Sequence, residues 1–336
     1  MNRSLSGSKY LSRFERIEKL EAGPLKVNGP VVATVNQVSR LSSSTALLNA
    51  FLELVKIRIT FFVGMSAAFG YILAANNVSI NMILPVFGIF LLSCGSAVLN
   101  HYQERTTDSL MHRTNKRPLP SGLMSPGSVL ALVFGLSVVG SVLLISTDNM
   151  MALVFSLLAF LSYNGIYTPL KKITPFAVIP GSFVGSFPVM AGWAAAGGYI
   201  LDPRLIAVTS FFFIWQIPHF WLLMHMYSAD YERANFPTLR MYFDERTLAV
   251  LTFLWMVILV FSSIFFMTTG IVSNLITQIA IAALGIWLVA GTYNIIPSRG
   301  DKRANKSAFM KINIYVLAIT LAVMIDKVLS LPWRMF

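Results

Sequence analysis

Nine apolar runs, each about 17–22 residues long, dominate the chain and leave little room for any fold but a helical membrane bundle. They fall near 59–76, 81–99, 127–146, 150–168, 175–194, 204–224, 248–267, 274–294 and 311–331. At about 1.5 Å per residue, each can cross a hydrocarbon core of roughly 30 Å. In lipid every backbone N–H and C=O must be satisfied within the chain, so runs of this length are expected as α-helices. Only 12% of the 336 residues are charged, about half the roughly 25% of an ordinary soluble domain, and they cluster between the runs. The fifth run contains Pro180 and Pro188, which a bundle tolerates because neighbouring helices take up the freed backbone groups. The expected class is all-α, a polytopic nine-helix bundle.

Basic residues orient such a bundle. With nine spans, the N-terminal stretch and the connections near 100–126, 169–174, 225–247 and 295–311 share one side, and they hold 23 of the 26 Lys and Arg. The other side keeps Arg204, Lys327 and Arg334. A cell (inner) membrane protein with a cytoplasmic N-terminus is expected. The net charge of +12 is therefore an orientation signal and an attraction for anionic headgroups, and no nucleic-acid partner is implied. Cys94 is the single cysteine, so the chain cannot form an internal disulfide, and a metal–thiolate site is disfavoured. Residues 1–45 are polar and mixed in charge, and are expected to form a mobile tail ahead of a domain spanning 46–336. Within that tail, KYLSRFERIEKLEA has the pattern of a short surface-lying amphipathic helix. No apolar signal-peptide core follows Met1, and Glu15, Glu18 and Glu21 disfavour a mitochondrial transit peptide.

Between the second and third runs lies NHYQERTTDSLMHRTNKRPLPSG, residues 100–122. Asn100, Glu104 and Asp108 are spaced in fours, so on a helix they project from one face about a turn apart. Two carboxylates on adjacent turns repel by some tenths of a kcal/mol, and a divalent cation would turn that repulsion into attraction. Hard oxygen donors suit Mg²⁺, which fills its shell with waters and substrate phosphates. Arg113, Lys116 and Arg117 follow at once, and bases beside a carboxylate-bound metal suit a diphosphate. Pro118 and Pro120 are expected to stop the helix and stiffen a loop over the site. A plain solvated loop carrying orientation charge is the bland alternative, and the bases serve both readings.

A second polar cluster, HMYSADYERANFP, lies on the same side and carries Tyr227, Asp230, Tyr231 and Glu232. A third connection, YTPLKKITP, supplies Lys171 and Lys172. Four of the chain's 14 acids fall in these two motif loops, and acids at a membrane edge usually have a task or a partner. Two acidic loops flanked by lysines have the makings of a cation-bridged phosphate site.

These strings resemble the UbiA superfamily of intramembrane prenyltransferases. Its first motif, Asn-x-x-x-Asp-x-x-x-Asp, is matched by Asn100, Glu104 and Asp108, with Glu for Asp in the middle. More narrowly, longer strings resemble its heme-farnesylating branch, the protoheme IX farnesyltransferases. DSLMHRTNKRPLPSG is similar to D-x-x-M-x-R-T-x-x-R-P-L, WQIPHFWLL to W-Q-x-P-H-F-W-A-L, and DYERANFPTL to D-Y-x-x-A-G-x-P-M-L. KIRIT resembles K-P-R-I-T without its proline, and YTPLKKITPFAVIPGSFVGSFPVMAGW matches a further string with Ala177 in place of Asn and Phe187 in place of a proline. The second Asp-x-x-x-Asp motif of the superfamily is reduced to Asp230, since position 234 is Ala.

The resemblance implies a nine-helix bundle with a central cavity capped by cytoplasmic loops. It implies Mg²⁺ held by Asn100, Glu104, Asp108 and Asp230, farnesyl diphosphate as donor, and heme B as a substrate that gains a hydroxyethylfarnesyl group to become heme O. Arg113, Lys116, Arg117, Lys171 and Lys172 would complete the diphosphate clamp, with Arg58 expected to face the same pocket and Tyr231 beside it. A downstream heme A synthase or terminal oxidase assembly is implied as partner. His219 has two readings, a ligand to heme iron or a propionate, or a histidine hydrogen-bonded to a neighbouring helix. His101 and His112 are expected as loop residues. Three rivals stay open: a UbiA-type enzyme acting on a quinone precursor or other aromatic or tetrapyrrole acceptor, a transporter, and a non-catalytic heme-binding assembly factor. Acids at span ends rather than mid-span count against the transporter.

Overall fold

The computed structural model describes residues 44–75, 79–147, 149–298 and 300–330. The expected amphipathic helix and most of the tail lie outside these residues. Among the described residues nine helices are long and apolar enough to cross a membrane. The all-α class holds.

Helix α1 (Ser44–Leu54) precedes the bundle. The spans are α2 (Ile57–Ala74), α3 (Ile83–Leu110), α4 (Pro126–Ile145), α5 (Met150–Leu161, extended to Leu170), α6 (Val178–Ala195), α7 (Pro203–Met226), α9 (Glu245–Thr268), α10 (Leu275–Thr292) and α11 (Lys302–Ser330). A short α8 (Ser228–Arg233) follows α7. Their starts carry local signals. Ser125, Asn149, Asp202, Asp244 and Asn274 each accept a backbone N–H of the first turn, and Pro126 and Pro203 occupy the first helical position after their caps.

Two helices run further than their apolar cores. Helix α3 carries the acid motif in one continuous rod to Leu110, and α11 begins at Lys302. Helix α3 ends well before Pro118, so the prolines shape the following loop rather than stop the helix. Met111 turns extended there, and the Thr114 hydroxyl donates to the Asp108 carbonyl at 2.9 Å. Helix α6 passes through Pro188 unbroken.

Spans that follow one another pack together from α2 round to α11, and α11 returns to touch α2. Helix α6 packs against α2 as well as against its chain neighbours α5 and α7. Its contact with α2 is backbone-close: a methyl on Gly70 would run into the Val189 carbonyl, and one on Gly192 into the Ala67 carbonyl. Small residues let membrane helices approach in this way and gain dispersion energy where no hydrophobic drive exists between them. The main core gathers Phe69, Trp193, Phe211, Phe266 and Tyr315. The Tyr315 hydroxyl there donates to Ser263 Oγ at 2.9 Å.

Candidate functional site

All three motif residues of α3 are buried: Asn100 is 0% exposed, Glu104 6% and Asp108 1%. Such burial of two carboxylates demands partners. Each motif residue has its own cation. Lys56 Nζ donates to Asn100 Oδ1 at 2.6 Å. Lys171 forms an ion pair with Glu104. Arg117 Nη1 meets Asp108 Oδ2 at 2.7 Å.

These cations come from three places. Lys56 stands at the start of α2 with a left-handed backbone (φ 49°), a conformation that costs a non-glycine residue energy and marks an over-determined position. Arg117 belongs to the loop after α3. Lys171 follows α5, whose end is a π-helical turn over Ser162–Tyr167. π-Turns recur at functional sites, and they leave backbone groups in need of outside partners. Here Gln103 Nε2 donates to the Asn164 carbonyl at 3.0 Å, and Asn164 Nδ2 donates to Ser96 Oγ at 2.6 Å. Asn100 Nδ2 donates to Thr168 Oγ1 at 3.0 Å, and that hydroxyl donates to the Tyr163 carbonyl at 2.8 Å. The fourth span is thereby laced to the acid face of α3.

Aromatic rings wall this cluster. Tyr163 and Tyr167 stack with centroids 5.7 Å apart, and Phe220 of α7 lies 5.5 Å from Tyr167. The Lys171 ammonium sits 5.4 Å from the Tyr167 ring and 5.9 Å from Phe236. Burial alone would lower the Lys171 pKa, but the Glu104 carboxylate outweighs it and holds the ammonium above its ordinary value. Burial likewise raises the Tyr231 phenol, which the charge of Lys171 opposes.

The two motif loops meet over the end of α3. Phe236 and Ala234 pack with Met111, and Tyr231 lies 5.5 Å from Phe236. The Arg113 guanidinium covers the Tyr227 ring at 4.9 Å. Asn235, at φ 56°, makes the tight turn between Tyr231 and Phe236.

The expected residues divide accordingly. Asn100, Glu104, Asp108, Arg117, Lys171 and Tyr231 come together, Arg113 closes the loop contact, and Lys172 is half-buried in the same turn as Lys171. Lys116 is exposed on its loop. Arg58 is exposed, and its place at the acid face is taken by Lys56, two residues earlier on the opposite side of the helix start. The Asp230 carboxylate lies 3.8 Å from Arg233 on its own short helix, not against Glu104 or Asp108. His219 Nδ1 pairs with Asn313 Oδ1 of α11 at 2.9 Å, the neighbouring-helix arrangement, with Trp215 and Phe309 on its faces. His101 is helical and buried rather than in a loop, whereas His112 is exposed beyond the helix end. Lys56, Gln103, Asn164 and Thr168 escaped the sequence reading. Lys56, Gln103 and Thr168 stand in the strings KIRIT, NHYQERTTDSL and YTPLKKITP, whereas Asn164 lies outside all of the motif strings. A polar hollow of about 80 Å³, lined by Leu73, Trp193, Arg204, Asp326 and Lys327, lies at the other end of the bundle and takes no part in the cluster.

Residues 60–315 match the family model described as the UbiA prenyltransferase family. The chain belongs to that family. As a UbiA prenyltransferase with nine apolar spans among its described residues it is a multi-pass membrane enzyme. It is 30% identical to the protoheme IX farnesyltransferase of Christiangramia forsetii, over 84% of this chain and 95% of that protein. To the protoheme IX farnesyltransferase of Oleidesulfovibrio alaskensis it is 29% identical, over 84% and 98%. Among solved structures, a digeranylgeranylglyceryl phosphate synthase superposes with a TM-score of 0.68 at 17% identity, covering 84% of this chain and 98% of that one. A UbiA homologue from Archaeoglobus fulgidus bound to DMAPP and Mg²⁺ superposes at 0.63 with 16% identity, covering 84% and 99%. These last two likenesses establish the shared fold.

Proposed function

We propose that this UbiA prenyltransferase transfers the farnesyl group of farnesyl diphosphate to a vinyl group of heme B, with addition of water, to give heme O. The reading rests on one observation above the rest: relatives named protoheme IX farnesyltransferase are matched over 95–98% of their own length, through both motif loops. The buried cluster supplies the chemistry such a transfer needs. The allylic C1–O bond breaks and its electron pair leaves with diphosphate. The vinyl carbon attacks C1, and water adds to the carbon left electron-poor, losing a proton.

The donor set fits magnesium: two carboxylates and a carboxamide oxygen, all hard, on one helix face and nearly free of competing solvent. Asn100, Glu104 and Asp108 would hold it, with Asp230 reaching in from the facing loop once released from Arg233. Bound there, magnesium supplies Lewis-acid stabilisation of the departing diphosphate. Arg117 and Lys171 stand beside the same oxygens and bind the phosphates, with Arg113, Lys116, Lys172 and Arg58 on the approach. Tyr163, Tyr167, Tyr231 and Phe220 keep water from the allylic carbon until the acceptor attacks. His219, between Trp215 and Phe309, positions the acceptor side of the site.

In this reading the charged end of the bundle faces the cytoplasm, residues 1–45 form a tail, and 46–336 form the catalytic domain in the cell inner membrane. The product would pass to a heme A synthase or a terminal oxidase assembly. Purified chain with Mg²⁺, farnesyl diphosphate and either heme B or 4-hydroxybenzoate tests the acceptor. Mass spectrometry should find heme gaining farnesyl plus water, and prenylation of 4-hydroxybenzoate alone would overturn it. Asp108→Asn should abolish turnover while heme remains bound, whereas an assembly factor would show no turnover to lose.

A further inference from the structure

We propose that the hollow at the end of the bundle away from the acid motif is a binding site for a zwitterionic phosphoethanolamine headgroup, carried by a bilayer phospholipid. The hollow, of about 80 Å³, lies among the ends of α2, α6 and α11, the start of α7 and the turn from α9 to α10. That volume is several times the roughly 10–15 Å³ that one water needs, so the space suits a ligand of several atoms.

Charged side chains enter it from two helices. Arg204 of α7 is held by a fork on Asp202, with Nε 3.0 Å from Oδ1 and Nη2 2.5 Å from Oδ2. Its guanidinium also lies 5.4 Å from the Trp193 ring. The Arg204 Nη1 has no hydrogen bond among the described residues. From α11 come Lys327 and Asp326, whose Oδ1 accepts the Thr277 hydroxyl at 3.0 Å. Neither forms an ion pair among the described residues. An acid and a base therefore line one hollow unpaired, beside an arginine that is already neutralised and fixed in place.

Charge and polarity together select the ligand. Asp202 and Asp326 balance Arg204 and Lys327, so these groups are neutral overall but present separate positive and negative poles. A lone anion would leave a net negative charge and face Asp326, and a lone cation would face Lys327 and Arg204. A phosphodiester joined to a primary ammonium satisfies both poles, with its phosphate oxygens on Lys327 and Arg204 Nη1 and its ammonium on Asp326. Leu73 and Ile271 of the core also line the hollow, and the chain beside it exposes Leu275, Ile276 and Leu329. Apolar side chains exposed around a polar recess at the span ends suit a headgroup with acyl chains attached, rather than a dissolved phosphoester.

The test is native mass spectrometry of the full chain in detergent, offered equal amounts of phosphatidylethanolamine and phosphatidylglycerol. The parent should retain phosphatidylethanolamine about tenfold over phosphatidylglycerol, the worth of one hydrogen bond between charged groups. Lys327→Met should lower that retention about tenfold, and Arg204→Met, a second variant should the first misfold, should do the same. Asp326→Asn should erase the preference between the two lipids. Lys302→Met, which removes a base from the opposite end of α11, should leave both lipids as in the parent and so controls for general loss of charge. Equal retention of the two lipids by the parent, or Lys327, Arg204 and Asp326 variants that behave as the parent does, would overturn the proposal. Displacement of the lipid by dissolved phosphoethanolamine at equal concentration would overturn the assignment to a phospholipid. The readout involves neither heme nor farnesyl diphosphate, so it is independent of the proposed reaction.

Discussion

Arg117→Met isolates the energetics of the acid helix. Arg117 Nη1 and Asp108 Oδ2 are 2.7 Å apart, with side chains 15% and 2% exposed. At an effective dielectric constant of about 20, two unit charges at that distance attract by roughly 6 kcal/mol. Desolvating both groups has already offset much of this, so the pair's net worth is small, yet removing one partner is costly. The Met variant keeps the aliphatic stem but leaves the Asp108 carboxylate buried, unpaired and one helical turn from Glu104. The expected loss is about 3–5 kcal/mol. Asp108→Asn leaves the guanidinium nearer water and is expected to lose about 1–3 kcal/mol. The double variant, with no buried charge at this position, should cost less than the two losses combined. That leaves an interaction energy of about 2 kcal/mol. Reversible unfolding of detergent-solubilised protein by SDS, followed by circular dichroism, measures all three. Strictly additive losses would refute the argument, since they would mean that solvent already screens the pair.

Three further expectations follow from other parts of the structure. Glu104→Gln keeps the shape of the motif but removes one charge from the metal face and from Lys171, and should lower farnesyl transfer by about 100-fold or more, measured as heme O formed per minute by mass spectrometry. Gly192→Val drives a branched side chain into the Ala67 carbonyl and should destabilise the α2–α6 contact by about 1–3 kcal/mol in the same SDS assay, whereas Gly197→Ala, with open space around its Cβ and φ 78°, should register backbone strain alone. Asp202 caps α7 through the Arg204 amide at 2.8 Å, and hydrogen bonds from Arg204 hold its carboxyl below the usual range. A depressed carboxyl stabilises the fold above its unfolded pKa of about 3.9 and loses that contribution as the pH falls through the folded value. Asp202→Ala should therefore cost about 1 kcal/mol near neutral pH, and the difference should shrink in strong acid to that of a neutral cap.

Much of this protein was legible along the chain. Hydropathy and run length located every span because a membrane helix must satisfy its backbone internally, a demand met residue by residue. The fourfold spacing of Asn100, Glu104 and Asp108 put them on one face because helical periodicity is local. Caps at Ser125, Asn149, Asp202 and Asn274 were written in the residues beside them.

The pairing of charges was decided elsewhere. Lys56 lies 44 positions from Asn100 in the chain, and Thr168 lies 68 from it. Nothing in KIRIT ranks Lys56 above Arg58 as the base that turns inward; the left-handed backbone at Lys56 and the packing of α2 make that choice. The π-turn before Lys171 and the bond from His219 to Asn313 likewise depend on where whole helices come to rest. A flexible basic side chain reaches over several ångströms, so the sequence determined which charges gather at one membrane edge. Only the packed bundle, by burying some of them and leaving others in water, determined which cation each carboxylate must hold.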